Sequence, residues 1–260
     1  MKNLRKYGKA PFNMAVIHGG PGAPGEMAPV ARELSSLWGV LEPLQTKATI
    51  EEQAWELKDI LQRSGNLPVI LIGWSWGAWL SFIFAAQYPA LVKKLILIGS
   101  GPYEEKYSLD IMEIRLSRLS QEEKEEVLSL TEIMNNLAIR DKNTAMARFG
   151  DLISKADSYA PLPHRNEILE CLYDVYHKVW DQASKLRSRG ELLELGRNIQ
   201  CPVVAIHGDY DPHPAEGVKG PLSRILKDFR FILLEKCGHQ PWIERSAKDR
   251  FYDILKSEVG

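Results

Sequence analysis

Three polar residues in separate parts of the chain could together carry out nucleophilic acyl transfer. Ser75 lies at the centre of Gly73-Trp74-Ser75-Trp76-Gly77, a Gly-x-Ser-x-Gly pattern, and Asp211 and His239 follow later in the chain. A serine hydroxyl is a weak nucleophile at neutral pH. It needs an imidazole to take its proton and a carboxylate to orient and stabilise that imidazole. The sequence therefore predicts a catalytic triad of Ser75, His239 and Asp211.

The sequence around Ser75 favours a sharp turn between a strand and a helix. An apolar run of strand length, 67–72, precedes the pattern, and an apolar stretch of helix length, 78–87, follows it before Pro89. Glycines on both sides of Ser75 allow close approach of neighbouring backbone. We expect this turn to push the Ser75 hydroxyl out at the edge of a sheet.

Two aspartates compete for the role of triad acid. Asp209 and Asp211 both follow a predicted strand, 202–207, and its terminal Gly208. In a parallel sheet, functional loops leave the carboxyl ends of strands. We choose Asp211 because its longer offset from Gly208 reaches further over the sheet edge, whereas aspartate next to glycine is typical of turns.

Four histidines compete for the role of base. His239 follows the last predicted strand, 229–234, and gives the order Ser, Asp, His. His18 and His207 each end a strand and precede glycine, so we expect them to hydrogen-bond locally. His213 lies between prolines near Asp211 and is the second choice.

Acyl transfer also needs N–H donors for the developing oxyanion. The residue after the nucleophile supplies one of them, which is the backbone N–H of Trp76. The other is expected from an early loop between a strand and a helix, and His18-Gly19-Gly20-Pro21-Gly22 occupies that place. We choose Gly20 as the second donor. The chemistry needs no metal and no organic cofactor.

The order of predicted elements indicates an α/β fold. Strands at 14–17, 39–44, 67–72 and 94–99 alternate with amphipathic helices, as in a parallel sheet. From about 107 to 195 only helices are predicted, including one from near Leu162 to Trp180, and strands return at 202–207 and 229–234. We expect an α/β core formed by 1–101 and 198–260, with 102–197 inserted as an all-helical cap.

The amino-acid composition and net charge limit the kinds of binding partner that can be expected. The net charge is −1, with 33 basic and 34 acidic residues, so neither a nucleic acid nor a membrane partner is expected. The uncharged stretch 64–92 is divided by prolines and glycines into pieces too short to span a bilayer. Three widely spaced cysteines and a start without an apolar core favour a cytoplasmic location. The oligomeric state is left open.

These motifs together resemble the α/β-hydrolase superfamily. Within it, the His18–Gly22 loop and the Gly-x-Ser-Trp-Gly elbow are most similar to the proline iminopeptidase branch. The resemblance covers roughly 12–100 and 200–258. The short N-terminus predicts that the family's first strand pair is absent, which gives a mostly parallel sheet of roughly six strands flanked by helices. The resemblance implies a serine hydrolase acting on a small ester or amide through an acyl-enzyme, with aminopeptidase action on short peptides as the runner-up.

Two other classes of function remain as alternatives. Gly20-Pro21-Gly22-Ala23-Pro24-Gly25 has the Gly-x-Gly-x-x-Gly form of a dinucleotide-binding loop, and Glu42 follows at a suitable distance for a ribose contact. Prolines argue against an oxidoreductase of this kind, because a phosphate-binding loop uses backbone N–H groups that proline lacks. The third class is a non-catalytic receptor with a hydrolase fold.

Overall fold

The computed structural model describes residues 3–260, which form a seven-stranded sheet with helices on both faces. The strands lie where the apolar runs of the sequence predict them, with one addition at the N-terminus. Their bounds are β1 (Leu4–Tyr7), β2 (Phe12–Ile17), β3 (Gly39–Pro43), β4 (Val69–Trp74), β5 (Val92–Ile98), β6 (Val203–Gly208) and β7 (Phe229–Leu234).

The expected α/β architecture with a mostly parallel sheet is present, but the sheet has one strand more than the roughly six expected. The strand order is β1-β3-β2-β4-β5-β6-β7, and all neighbours are parallel except β1 and β3. The N-terminus is therefore long enough for an antiparallel edge strand, in which Leu4 pairs with Pro43. Charged and polar residues in β1 concealed it, since they match an edge strand better than a buried one.

Within residues 3–260, ten α-helices lie between and after the strands. They are α1 (Ala28–Leu34), α2 (Ile50–Ser64), α3 (Trp76–Gln87), α4 (Ile111–Ser117), α5 (Gln121–Asn135), α6 (Asn143–Ala156), α7 (Tyr173–Ser188), α8 (Glu191–Glu194), α9 (Glu216–Ile225) and α10 (Lys248–Val259). Short 3-10 turns lie at Pro89–Leu91, Glu105–Tyr107, Leu195–Asn198 and Pro241–Ile243. Within the described chain, none of the helices is long and apolar enough to cross a membrane.

The hydrophobic core lies on the two faces of the sheet. Successive strand residues point to opposite faces, so Leu71 packs with apolar residues of α2 and α3, while Ile70 and Ile72 pack with those of α1 and α10. This explains why β4 is an uninterrupted apolar run, since both of its faces are covered. The same packing fixes the carboxyl end of β4, where Ser75 follows.

The chain between β5 and β6 contains α4 to α8, but not the helix expected from Leu162 to Trp180. That helix begins only at Tyr173, and 157–172 contains no regular helix. The backbone N–H groups of this stretch bond to other parts of the protein: Leu162 donates to Ile243 O, Leu169 to Pro24 O and Leu172 to Gly22 O. Tertiary hydrogen bonds therefore override the helical pattern here.

Candidate active site

Ser75 occupies a strained turn directly between β4 and α3. Its φ and ψ are 54° and −119°, in a region that non-glycine residues rarely adopt. The flanking glycines are needed for close packing: a Cβ on Gly77 would lie 2.2 Å from Ile17 O, and one on Gly73 would lie 2.2 Å from Gly77 O. The serine itself carries the strained dihedral angles, and the glycines make room for the turn.

Asp211 and His239 meet at the carboxyl edge of the sheet. His239 Nδ1 is 2.7 Å from Asp211 Oδ2, and both residues are buried. Asp211 follows β6 and His239 follows β7, as the strand pattern predicts. Asp209, the rival acid, instead accepts the backbone N–H of Cys237 at 3.1 Å. It therefore shapes the loop that leads to His239.

The loop carrying His239 packs on Trp74, the residue before Ser75. The Trp74 indole donates to His239 O at 2.8 Å, and the two rings lie 5.2 Å apart. Ser75 and His239 line the same cavity. Because Nδ1 faces Asp211, Nε2 is the ring nitrogen that is not paired with this carboxylate.

Two more imidazoles lie beside Asp211: that of His213, the second-choice base expected near it, and that of His207, which the sequence predicts to bond locally. Asp211 Oδ1 accepts the backbone N–H of His213 at 2.9 Å and lies 2.7 Å from His213 Nδ1. His207 Nε2 lies 3.6 Å from Oδ2 and 2.7 Å from the backbone oxygen of His213. His213 and His239 therefore flank one carboxylate, with ring centroids 4.6 Å apart.

The electrostatics of this cluster keep the acid charged. Burial raises the pKa of Asp211, but the surrounding histidines outweigh it and hold the pKa well below its usual range. Burial lowers the pKa of His239, and the charge and hydrogen bond of Asp211 reverse this, so that the pKa lies above its ordinary value. Burial lowers the pKa of His213 to about 4, so that this ring is neutral at physiological pH.

His18 plays a local part in shaping the early loop, as expected. Its Nδ1 lies 2.7 Å from Gly19 O, and its Nε2 accepts the backbone N–H of Gln45 at 3.2 Å. Since Nε2 accepts, the proton lies on Nδ1. Burial lowers the pKa of His18 to about 4 and keeps the ring neutral.

The residues chosen as oxyanion donors are Trp76, directly after Ser75, and Gly20, in the glycine-rich loop. Trp76 is the first residue of α3, where backbone N–H groups lack partners within the helix. Gly20 has a φ of 42°, and a Cβ on the preceding Gly19 would lie 3.1 Å from the Ser75 Cβ. The glycine-rich loop therefore lies against Ser75, and Gly20 and Trp76 both line the cavity.

An ion pair from the helical region supports the His239 loop. Arg115 of α4 donates to both carboxylate oxygens of Asp157 at 2.8 and 2.6 Å, and its Nη2 lies 3.4 Å from His213 Nε2. The backbone oxygen of Asp157 accepts the His239 N–H at 2.9 Å. Sequence reasoning missed this pair, because neither residue belongs to a motif and the two lie 42 positions apart.

The carboxylate of Glu244 also holds the His239 loop in place. Its carboxylate is fully buried and accepts three backbone N–H groups, those of Tyr159, Ala160 and Gly238, at 2.7, 2.8 and 3.0 Å. A charged acceptor satisfies these donors more strongly than a neutral one. The residue before His239 is thereby held against 159–160.

The cavity next to Ser75 has a volume of about 1100 Å³. Part of its wall is apolar, formed by a cluster that includes Met134, Met146 and Phe149 from α5 and α6. Within 3–260, the one group of side chains spaced for a metal ion is Asp211, His213 and His239, whose ligand atoms lie within 4.8 Å of one another. The hydrogen bonds between the carboxylate and the two rings account for that spacing.

The dinucleotide-binding alternative conflicts with the position of Glu42. Its carboxylate is buried, pairs with Arg5 at 2.7 and 2.9 Å and accepts the Tyr7 hydroxyl at 2.7 Å. It is therefore not available for a ribose. Arg5 also donates to Gly25 O at 3.0 Å, so this cluster supports the glycine-rich loop from behind.

Comparisons with known proteins agree with the fold. A family model described as the alpha/beta hydrolase fold matches residues 21–246. The chain is 26% identical over 184 residues to a pimeloyl-(acyl-carrier protein) methyl ester esterase of Nitrosospira multiformis. That alignment covers 70% of this chain and spans 65% of the esterase. A proline iminopeptidase of Saccharolobus solfataricus is 22% identical over 280 residues, covering 95% of this chain and 84% of the peptidase.

A similar solved structure is that of VinJ, with a TM-score of 0.71, 18% identity and coverage of 98% of this chain and 93% of VinJ. At that identity the likeness concerns the fold alone. The predicted resemblance to α/β-hydrolases is confirmed, and a proline iminopeptidase is among the relatives. Since the family model spans most of the chain, this protein belongs to the α/β-hydrolase fold family.

Proposed function

We propose that the protein is a serine hydrolase that cleaves an ester or amide bond of a small substrate. The observation that carries the proposal is the 2.7 Å contact between His239 Nδ1 and Asp211, on the wall of the cavity that Ser75 also lines. A nucleophile, a base and an orienting acid on one sheet edge are the parts that acyl transfer needs.

In the proposed mechanism, His239 Nε2 takes the proton of Ser75 as the hydroxyl attacks the substrate carbonyl. The backbone N–H groups of Gly20 and Trp76 stabilise the oxyanion. His239 then gives its proton to the leaving alcohol or amine, and an acyl-enzyme forms. Water, deprotonated by His239, releases the acid and restores Ser75. Asp211 holds the imidazole tautomer and stabilises its charged form.

We propose that 102–197 acts as a cap that shapes the substrate cavity. Support comes from α4 to α7, which contribute much of the cavity wall, including Arg115, Met134, Met146 and Tyr176. We also propose a cytoplasmic location, which the three free thiols support.

Esterase action is the first choice and aminopeptidase action the second. The methyl ester esterase relative supports the first. The proline iminopeptidase relative, which aligns with 95% of this chain, supports the second. A direct comparison of p-nitrophenyl esters with prolyl and alanyl p-nitroanilides ranks the two activities. Rapid anilide cleavage with negligible ester turnover would reverse this order.

Labelling with a fluorophosphonate probe tests the nucleophile. We expect the native protein to react and Ser75→Ala to lose both labelling and turnover. Ser108→Ala is the matched control, because Ser108 also lines the cavity but its hydroxyl donates to Glu105 O. This control should label normally. A native protein that neither labels nor turns over any substrate would favour a ligand receptor.

A further inference from the structure

Glu26 is a carboxyl group on the cavity wall that the proposed mechanism does not use. It lies between the glycine-rich loop and α1, is only partly exposed, and lines the cavity. A Cβ built on Gly20 would be 3.8 Å from Glu26 Oε2. The carboxyl group is therefore close to the loop that we expect to bind the oxyanion, and hence to the scissile carbonyl.

Glu26 differs from other carboxylates around the cavity in its partner. Of the four others, Asp151 is exposed to solvent. The remaining three form ion pairs with basic side chains: Asp157 with Arg115, Glu167 with Arg32 and Glu33 with Lys256. Among the residues that the structure describes, the hydrogen-bond partner of the Glu26 carboxyl is the amide of Gln240, at 3.5 Å. The Glu26 carboxyl group therefore has a long hydrogen bond to a neutral amide, where a carboxylate on this wall would otherwise pair with a basic side chain.

An ionised carboxylate in such surroundings is unfavourable without a cation beside it. Burial accordingly raises the pKa of Glu26 to about 8, although the charge of His239 acts to lower it. A positive charge entering the cavity would supply the missing partner. A neutral or anionic group at the same place would leave the carboxyl unpaired or repelled.

We propose that Glu26 selects substrates that carry a cationic group, such as an ammonium, near the scissile carbonyl. This inference rests on the proposed hydrolase function and adds the charge of the substrate to it. The cation can belong to the acyl part or to the alcohol part of the substrate. In either case it would lie between the glycine-rich loop and Gln240, opposite the carboxyl group of Glu26.

Pairs of esters with the same shape and different charge test the proposal. Alanine methyl ester against methyl isobutyrate examines the acyl side, and acetylcholine against 3,3-dimethylbutyl acetate examines the alcohol side. The p-nitroanilides of alanine and isobutyric acid replace the first pair if only amides are turned over. In at least one pair, kcat/KM for the cationic member should be at least tenfold higher, since hydrogen bonds to charged groups contribute this much or more.

Substitutions at Glu26 then test whether this residue causes the preference for cationic over neutral substrates. Glu26→Gln keeps the size of the side chain and removes its charge, so the cationic-to-neutral ratio should fall at least tenfold. Glu26→Asp retains the charge and should keep part of the ratio. Glu33→Gln is the matched control: Glu33 lies on the same cavity but already pairs with Lys256, and its loss should leave the ratio unchanged.

The outcomes separate this inference from the proposed function. Failure of the hydrolase proposal would show as no labelling at Ser75 and no turnover of either member of any pair. A labelled, active enzyme with equal rates in both pairs would overturn the role of Glu26 alone. An unchanged ratio in Glu26→Gln would overturn it as well, because the preference would then arise elsewhere.

Discussion

Replacing Asp211 by asparagine should trap His239 in the tautomer that cannot act as a base. Asp211 Oδ1 faces two donors of His213, the backbone N–H and Nδ1, whereas Oδ2 faces His239 Nδ1. The asparagine amide has one oxygen and one NH2 group, so either His213 or His239 must face the NH2 group. The backbone N–H of His213 can only donate. The amide oxygen should therefore stay with His213, and its NH2 group should face His239.

The consequence for catalysis follows from the tautomer. Facing an NH2 group, His239 Nδ1 must become the acceptor, so its proton moves to Nε2, the nitrogen that should receive the Ser75 proton. In the reverse orientation the amide oxygen faces His239 and the NH2 group faces the two donors of His213. That orientation has one hydrogen bond fewer, which costs about 1 kcal/mol. The competent orientation is thus the minor one. This orientational preference accounts for only about a fivefold loss of kcat. The amide also lacks the negative charge that stabilises the imidazolium, and for serine hydrolases with a triad the whole replacement lowers kcat about 10⁴-fold, or about 5 kcal/mol of activation free energy.

The assay is steady-state ester hydrolysis at pH 8, with the thermal unfolding midpoint measured alongside. We expect Asp211→Asn to lower kcat by about 10⁴ with KM changed far less. Asp209→Asn is the control, because an amide oxygen can still accept the Cys237 N–H. It should retain more than a tenth of the native kcat. A folded Asp211→Asn enzyme with more than a tenth of native kcat, or equal damage from Asp209→Asn, would refute the assignment of the acid.

Three further predictions concern pH, the His239 loop and the glycine-rich loop. Since neutral His239 is the reactive form and its pKa is raised, kcat/KM should fall as pH decreases through a midpoint above about 6.5; a midpoint below 6 would contradict this. Glu244→Gln should lose about 1–3 kcal/mol of unfolding free energy in urea, because one oxygen cannot satisfy three buried N–H groups; an unchanged value would argue against this clamp. Gly22→Ala should destabilise the protein more than Gly190→Ala. Both have φ near 75°, but only at Gly22 would the Cβ meet a backbone atom, Leu172 O at 2.4 Å, whereas nothing lies within 4 Å at Gly190.

The sequence predicts those parts of the site that local patterns determine. The turn at Ser75 follows from an apolar strand, an apolar helix and two glycines within about 20 residues. Asp211 and His239 follow from the rule that loops at the carboxyl ends of parallel strands share one edge of the sheet. In each case the information lies within a short stretch of chain, where hydrophobic pattern and turn residues act together.

Contacts between distant, irregular segments were not predictable in the same way. Arg115 and Asp157 belong to polar helical sequence that is equally compatible with solvent exposure. Glu244 follows a predicted strand without belonging to a motif. Glu26 is distinguished by what it lacks, a basic partner, and only the packed structure shows which charges have one. Pairing of this kind depends on tertiary geometry, which periodicity and propensity do not encode.

The segment 157–172 connects the two loops that the chemistry would use. At one end it bonds to the His239 loop, and at the other Leu169 and Leu172 bond to the glycine-rich loop. Backbone groups of the segment make seven hydrogen bonds to these neighbours: three from 157–160 to the His239 loop and Glu244, two more with Ile243 and Arg245, and two with Gly22 and Pro24. Because the segment bonds to both loops, displacing it for substrate entry would disturb both parts of the site that the chemistry would use. We therefore expect substrate to enter without displacing it.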